Sequence, residues 1–112
     1  MKDFKIDYDV EGDSLFVYSE NQESSGSIEI GNFILDLDSN GNLVSMEFLD
    51  ASEFFKVIFS KVIDVSKITG FSANVVNFRN MTNIINFSIT TDLGIEREKL
   101  IVPRIVESPA CD

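Results

Sequence analysis

Apolar and polar residues alternate along the first fifty positions. Phe4, Ile6 and Tyr8 oppose Lys5, Asp7 and Asp9, a period of two that predicts a half-buried strand. Val10-Glu11-Gly12-Asp13 is a turn signal, and Leu15-Phe16-Val17-Tyr18 is a short strand apolar on both faces. Ser19 to Gly26 is a polar, serine-rich loop. Ile28 and Ile30 flank Glu29 in a further strand, Gly31-Asn32 turns, and Phe33-Ile34-Leu35-Asp36-Leu37 follows. Asn40-Gly41 is the strongest turn in the chain, because this pair supports the positive φ of a tight hairpin. Val44, Met46 and Phe48 then alternate with Ser45 and Glu47.

The period changes after residue 50. Phe54, Phe55, Ile58, Phe59 and Val62 fall at helical spacing. Asp50 with Glu53 reads as a capping box, and Leu49 with Phe54 as a hydrophobic staple. Ser60 or Asp64 is positioned to interrupt the run and make two short helices, and Gly70 marks the end of the helical region. Three strands follow, at 72–78, 83–91 and 98–106, rich in Val, Ile, Phe and Thr. Arg79-Asn80-Met81-Thr82 and Asp92-Leu93-Gly94 are their turns, and Pro103 places the last strand at an edge or ends it. The asparagines at 74, 77, 80, 83 and 86 recur at three, so they alternate faces of a hairpin with Asn80 in its turn. The expected fold class is α+β. Antiparallel hairpins are joined by one or two short helices between an N-terminal and a C-terminal strand group. The expected organisation is a single domain over 1–112: an acidic half at 1–50, a helical segment at 51–70, strands at 71–106 and a tail at 107–112. The expected core is Phe4, Ile6, Leu15, Val17, Leu35, Met46, Phe48, Phe55, Ile85, Phe87 and Ile89.

Charge narrows the function classes. Nineteen acids stand against nine bases, a formal charge of −10. Residues 1–50 hold twelve acids and two lysines, and residues 51–112 hold seven of each sign, so the whole excess lies in the first half. Such a surface repels phosphate and anionic lipid, so neither nucleic acid nor membrane is an expected partner. No apolar run is long enough to span a bilayer, and the first residues lack a secretory apolar region. With one cysteine, Cys111, the expectation is a cytoplasmic protein without an internal disulfide. The chain has no histidine, which removes imidazole-based catalysis and metal ligation, and Cys111 has no base beside it. Carboxylates remain, and a carboxylate-based enzyme is the least favoured reading. No cofactor is expected.

This series of turns and strands resembles the prokaryotic family called domain of unknown function 2283. The resemblance runs over residues 4–55. It is carried by Ile6-Asp7-Tyr8-Asp9, Asp13-Ser14-Leu15-Phe16-Val17-Tyr18, Ile34-Leu35-Asp36-Leu37-Asp38 and the stretch from Gly41 to Ser52. Residues 72–106 look like the strand tail of its longer members. The resemblance implies a small β-rich domain without established activity. For short members beside toxin-like genes it implies an antitoxin-like partner role. Asp7, Asp9 and Asp13 match the family's pattern, which gives them no role.

Two candidate sites come from the residues themselves. From Asp36 to Glu47 the chain fits the string of a calcium loop, with Asp36, Asp38, Asn40 and Glu47 as the oxygen ligands and Gly41 at the bend. Its flanks alternate as strands, so a hairpin turn is the rival reading. Asp7-x-Asp9-x-Glu11-Gly12 repeats the layout. Two such hairpins side by side would bring Asp7, Asp9, Asp36 and Asp38 together. The second candidate is the helix. Among ten phenylalanines, Phe54, Phe55 and Phe59 with Ile58 make an apolar arc wide enough for a sheet on one side and a partner on the other. The expected function is therefore non-catalytic protein association. The partner is a second copy, with a dimer favoured, or another protein. Weak calcium or other divalent cation binding is the alternative.

Overall fold

Period-two alternation is expressed as strands throughout. The computed structural model describes residues 1–20, 22–77 and 82–103. In chain order the elements are β1 (Lys2–Asp9), β2 (Ser14–Tyr18), β3 (Gly26–Ile30), β4 (Phe33–Leu37), β5 (Leu43–Phe48), α1 (Ala51–Phe59), β6 (Gly70–Asn77), β7 (Thr82–Thr91) and β8 (Gly94–Pro103). A 3-10 turn at Val65–Lys67 lies between α1 and β6. The structure is mostly antiparallel sheet, a half-barrel of eight strands ordered β3-β4-β5-β2-β1-β6-β7-β8, with one α-helix among the described residues.

β1 joins the two strand groups by changing partner along its length. Lys2, Asp3 and Phe4 pair with Ala73, Ser72 and Phe71 of β6, while Lys5 to Asp9 pair with Tyr18 to Ser14 of β2. The inner face of the sheet carries the core. Leu15, Val17, Phe33, Leu35, Met46 and Phe48 are buried on the N-terminal strands, and Phe71, Ala73, Ile85, Phe87 and Ile89 on the C-terminal ones. α1 lies against this face and bridges both groups. The Phe55 ring centroid is 5.0 Å from that of Phe48 on β5 and 6.5 Å from that of Phe87 on β7. Phe4, Phe33, Phe48, Phe54, Phe55, Phe59, Phe71 and Phe87 form one connected network of ring contacts. Burying a ring as fully as Phe55 stabilises the fold by about 1.5–3 kcal/mol. The phenylalanine excess is thus largely core.

Several expectations change in the details. The helix runs only to Phe59, because Ser60 takes the left-handed conformation at φ 56° and ends it. Asp64 caps the short 3-10 turn through the Ser66 amide, 3.1 Å away, and Gly70 opens β6 instead of closing a helix. Asp50 makes no side-chain cap, so the capping box with Glu53 is absent. The last strand begins at Gly94, four residues before the expected start, because Asp92-Leu93 suffices to turn the chain. β8 is an edge strand, in keeping with Pro103. Of the expected core, Ile6 is partly buried and the other ten residues are buried. Phe78, the turn at 79–81, residues 104–106 and the tail with Cys111 lie outside the described residues.

Candidate functional site

The loop from Asp36 to Glu47 is a hairpin connection. Asp38 closes it: its Oδ1 accepts from the Asn40 amide at 2.8 Å and the Asn42 amide at 2.9 Å, and Gly41 turns the chain at φ 83°. The Asn42 backbone donor, with its side-chain amide and the Asn40 amide, holds the Asp38 carboxyl below its ordinary range against an opposing effect of desolvation. Asp36 faces elsewhere. It accepts hydrogen bonds from Ser27 Oγ and, at 2.7 Å, from Ser45 Oγ. Glu47 stays in the β5 ladder opposite Phe16 and Ile34 and accepts from Ser14 Oγ at 3.2 Å. Asp36, Asp38, Asn40 and Glu47 therefore do not converge. The two Asp-x-Asp hairpins do not meet either. β2 and β5 separate β1 from β4, and Asp36 lies two residues out of register with Asp7, which puts the two about 16 Å apart at the usual strand spacing and rise. Among the described residues no three Asp, Glu, Cys or His side chains gather as a metal site.

The other turn has a long-range role that its sequence does not display. Asp13, at φ 51°, sits under the N-terminus of α1. Its backbone carbonyl accepts from the Ala51 amide at 2.8 Å. Its carboxylate accepts from the Ser52 amide at 3.1 Å, from Ser52 Oγ at 2.9 Å and from the Tyr8 hydroxyl at 2.6 Å. It supplies the cap that Asp50 does not, by satisfying orphan amides of the first turn and placing charge at the positive helix end. Burial alone would raise the Asp13 carboxyl. The hydrogen bonds from Tyr8 and Ser52 outweigh it and leave the group below its ordinary value. The same bond to Asp13, with burial, raises the Tyr8 phenol.

The four apolar helix residues are spent largely inside. Phe55 is fully buried, so it has no surface to offer another chain. Phe54, Ile58 and Phe59 are half-buried against the same core.

The exposed aromatic surface lies on the opposite side of the N-terminal strands. Leu15 and Val17 point inward, so Phe16 and Tyr18 point out, with rings stacked at 5.2 Å and 16°. Strand register extends this into a row. Asp7 pairs with Phe16, Phe16 with Glu47, Glu47 with Ile34 and Ile34 with Glu29. Across five strands the outer face therefore reads acid, aromatic, acid, aliphatic, acid. The parallel row is Lys5, Tyr18, Ser45, Asp36 and Ser27. Phe16 keeps 36% of its surface exposed. Lys5 is the base on this face, and it pairs with Glu20 at 3.6 Å. Asp7, Glu29 and Glu47 have no ionic partner among the described residues. Strand β2 is apolar on both faces in the sequence, but the row depends on the order of five strands, which no local pattern carries.

Residues 5–52 match the family described as protein of unknown function (DUF2283). The N-terminal strands are what resembles that family. The match runs from Lys5 within β1 through β5 to the first two residues of α1, so it contains the whole row and Asp13. An uncharacterized protein of Methanocaldococcus jannaschii is 43% identical over 53 residues, 47% of this chain and 46% of that relative. A Methanosarcina mazei protein named putative hypoxanthine phosphoribosyltransferase is 40% identical over 53 residues, 47% of this chain and 43% of that relative. The matched stretch spans less than half the length of either relative. No solved structure matches this chain.

Proposed function

We propose that this protein acts by non-catalytic association with a protein partner through the outer face of β1, β2, β5 and β4, in the cytoplasm. The observation that carries the reading is the stacked Phe16–Tyr18 pair, with Ile34 beside it, held outward by a sheet whose other face is already filled by phenylalanines. A sheet face normally alternates apolar-in and polar-out. Aromatic rings on the wet side are of the residue type enriched at interface centres. The test is native mass spectrometry of the protein purified from its own cells. The expected result is added mass of kilodaltons that disappears in Phe16→Ser. A bare chain mass for the unaltered protein would overturn the reading.

A second reading is self-association as a dimer. It is favoured by Val76, Ile84 and Ile101, which pair across β6, β7 and β8 on the outer face of the C-terminal group. Ile101 is 74% and Val76 43% exposed. Sedimentation equilibrium of the unaltered chain and of Ile101→Lys tests it, with a concentration-dependent dimer lost in the variant as the expected result and a monomer throughout as the refutation.

A further inference from the structure

We infer that the outer row of the N-terminal strands receives an arginine-bearing, basic segment of a protein partner, with a guanidinium laid on Phe16 between Asp7 and Glu47. This rests on the association reading and specifies what binds.

Any occupant that covers Phe16 and Ile34 must also cover the carboxylates interleaved with them. Asp7 and Glu47 stand directly opposite Phe16 on its two neighbouring strands, at about 5 Å between Cβ atoms, and Glu47 and Glu29 flank Ile34 in the same way. An apolar or acidic occupant would strip water from Asp7, Glu47 and Glu29 and return nothing. The occupant must therefore bring positive charge at the period of the row, which is two strand spacings or about 9.6 Å. The face cannot supply this charge itself, because Lys5 is engaged by Glu20 beside Tyr18.

The choice of arginine follows from the aromatic between the acids. A guanidinium is planar and weakly hydrated. It can lie on a ring face while its edges donate to carboxylates on either side, whereas an ammonium acts as a hydrated point charge. A row of carboxylates alone would take either cation, and the ring is what discriminates.

The probe is fluorescein-labelled nona-arginine against nona-lysine of equal charge, followed by fluorescence anisotropy with the full chain at low salt. The unaltered protein is expected to prefer the arginine peptide by about tenfold. Phe16→Leu, whose fold is checked by circular dichroism, should lose that preference while still binding both peptides, and Glu47→Gln should weaken both. Equal affinity for the two peptides, or a preference that survives Phe16→Leu, would overturn the inference and leave only diffuse attraction to an acidic chain. A self-associated chain dispersed by Phe16→Ser would also overturn it, by showing a second copy as the occupant. A cellular complex that needs Phe16, found together with no arginine preference, would keep the association reading and reject arginine alone.

Discussion

The turns that hold Asp13 and Asp38 belong to segments with the same layout, Asp-x-Asp followed by an acid or amide and a glycine, yet they are used in different ways. Asp38 bonds amides two and four residues ahead and finishes a hairpin that needs nothing from elsewhere. Asp13 bonds Ser52 and, through its carbonyl, Ala51, across 39 and 38 positions, and so ties the first hairpin to the helix that covers the core. The shared string does not even fix the same local turn, since Gly41 takes the positive φ in one and Asp13, not Gly12, in the other. The element that happens to end above it sets what the carboxylate does.

The largest expected effect that separates the two turns is at Asp13. Asp13→Ala removes the helix cap and leaves alanine in a left-handed conformation, for a loss of about 2–3 kcal/mol by urea denaturation. Asp13→Asn, which tolerates that conformation and keeps an acceptor, should recover much of it. A loss no larger than that of Asp38→Ala would remove the distinction. Asp38→Ala should be milder and local. Its amide-exchange changes should stay within Asp36 to Ser45 and not reach α1, and spread to α1 would count against a self-contained turn.

Acidity should show both turns together. Asp13 and Asp38 are lowered in the folded chain, so their stabilisation is present above the ordinary carboxyl value of 3.8 and is lost as pH falls through the lowered values. In Asp13→Asn the acid limb of the stability curve should flatten, and an unchanged limb would show that Asp13 is not linked to folding. Tyr8 has the opposite sign. Its raised phenol contributes below the ordinary value of 10.0, and that contribution fades as pH climbs through the raised value. The smallest effect is at Asp50. It holds φ 50° without capping the helix, so Asp50→Gly should be neutral or stabilising by about 0.5 kcal/mol, measured by thermal melting. A loss near 1 kcal/mol, as expected of a true N-cap, would return the cap to Asp50.

Local chemistry explains how much of this was legible. Strands β1 to β5 and their turns follow from alternation and from Asn40-Gly41, since a half-buried strand must repeat at two and a tight hairpin needs positive φ. The helix was legible from its phenylalanines, but its cap was not, because Asp50 stands at the position that predicts a cap while the carboxylate that bonds Ser52, Asp13, lies 39 residues earlier. The calcium-loop string was visible in full and still did not gather, because pairing within the sheet holds Glu47 in a ladder away from Asp38. Phe54, Phe55, Ile58 and Phe59 marked an apolar arc, while the curvature of a sheet reaching from β5 to β7 decided how much of it stayed outside.

By itself the sequence determined the strands, about half of the buried core, the acidic first half and the match of residues 5–52 to a family model. These depend on periodicity and residue type, which are local. Tertiary structure alone decided that β1 changes partner after Phe4, that Asp13 caps a helix 38 residues away, and that Asp7, Phe16, Glu47, Ile34 and Glu29 stand in one row. Each of those depends on which strands lie side by side, and that order is set by burial of the whole phenylalanine network, not by any neighbouring residues in the chain.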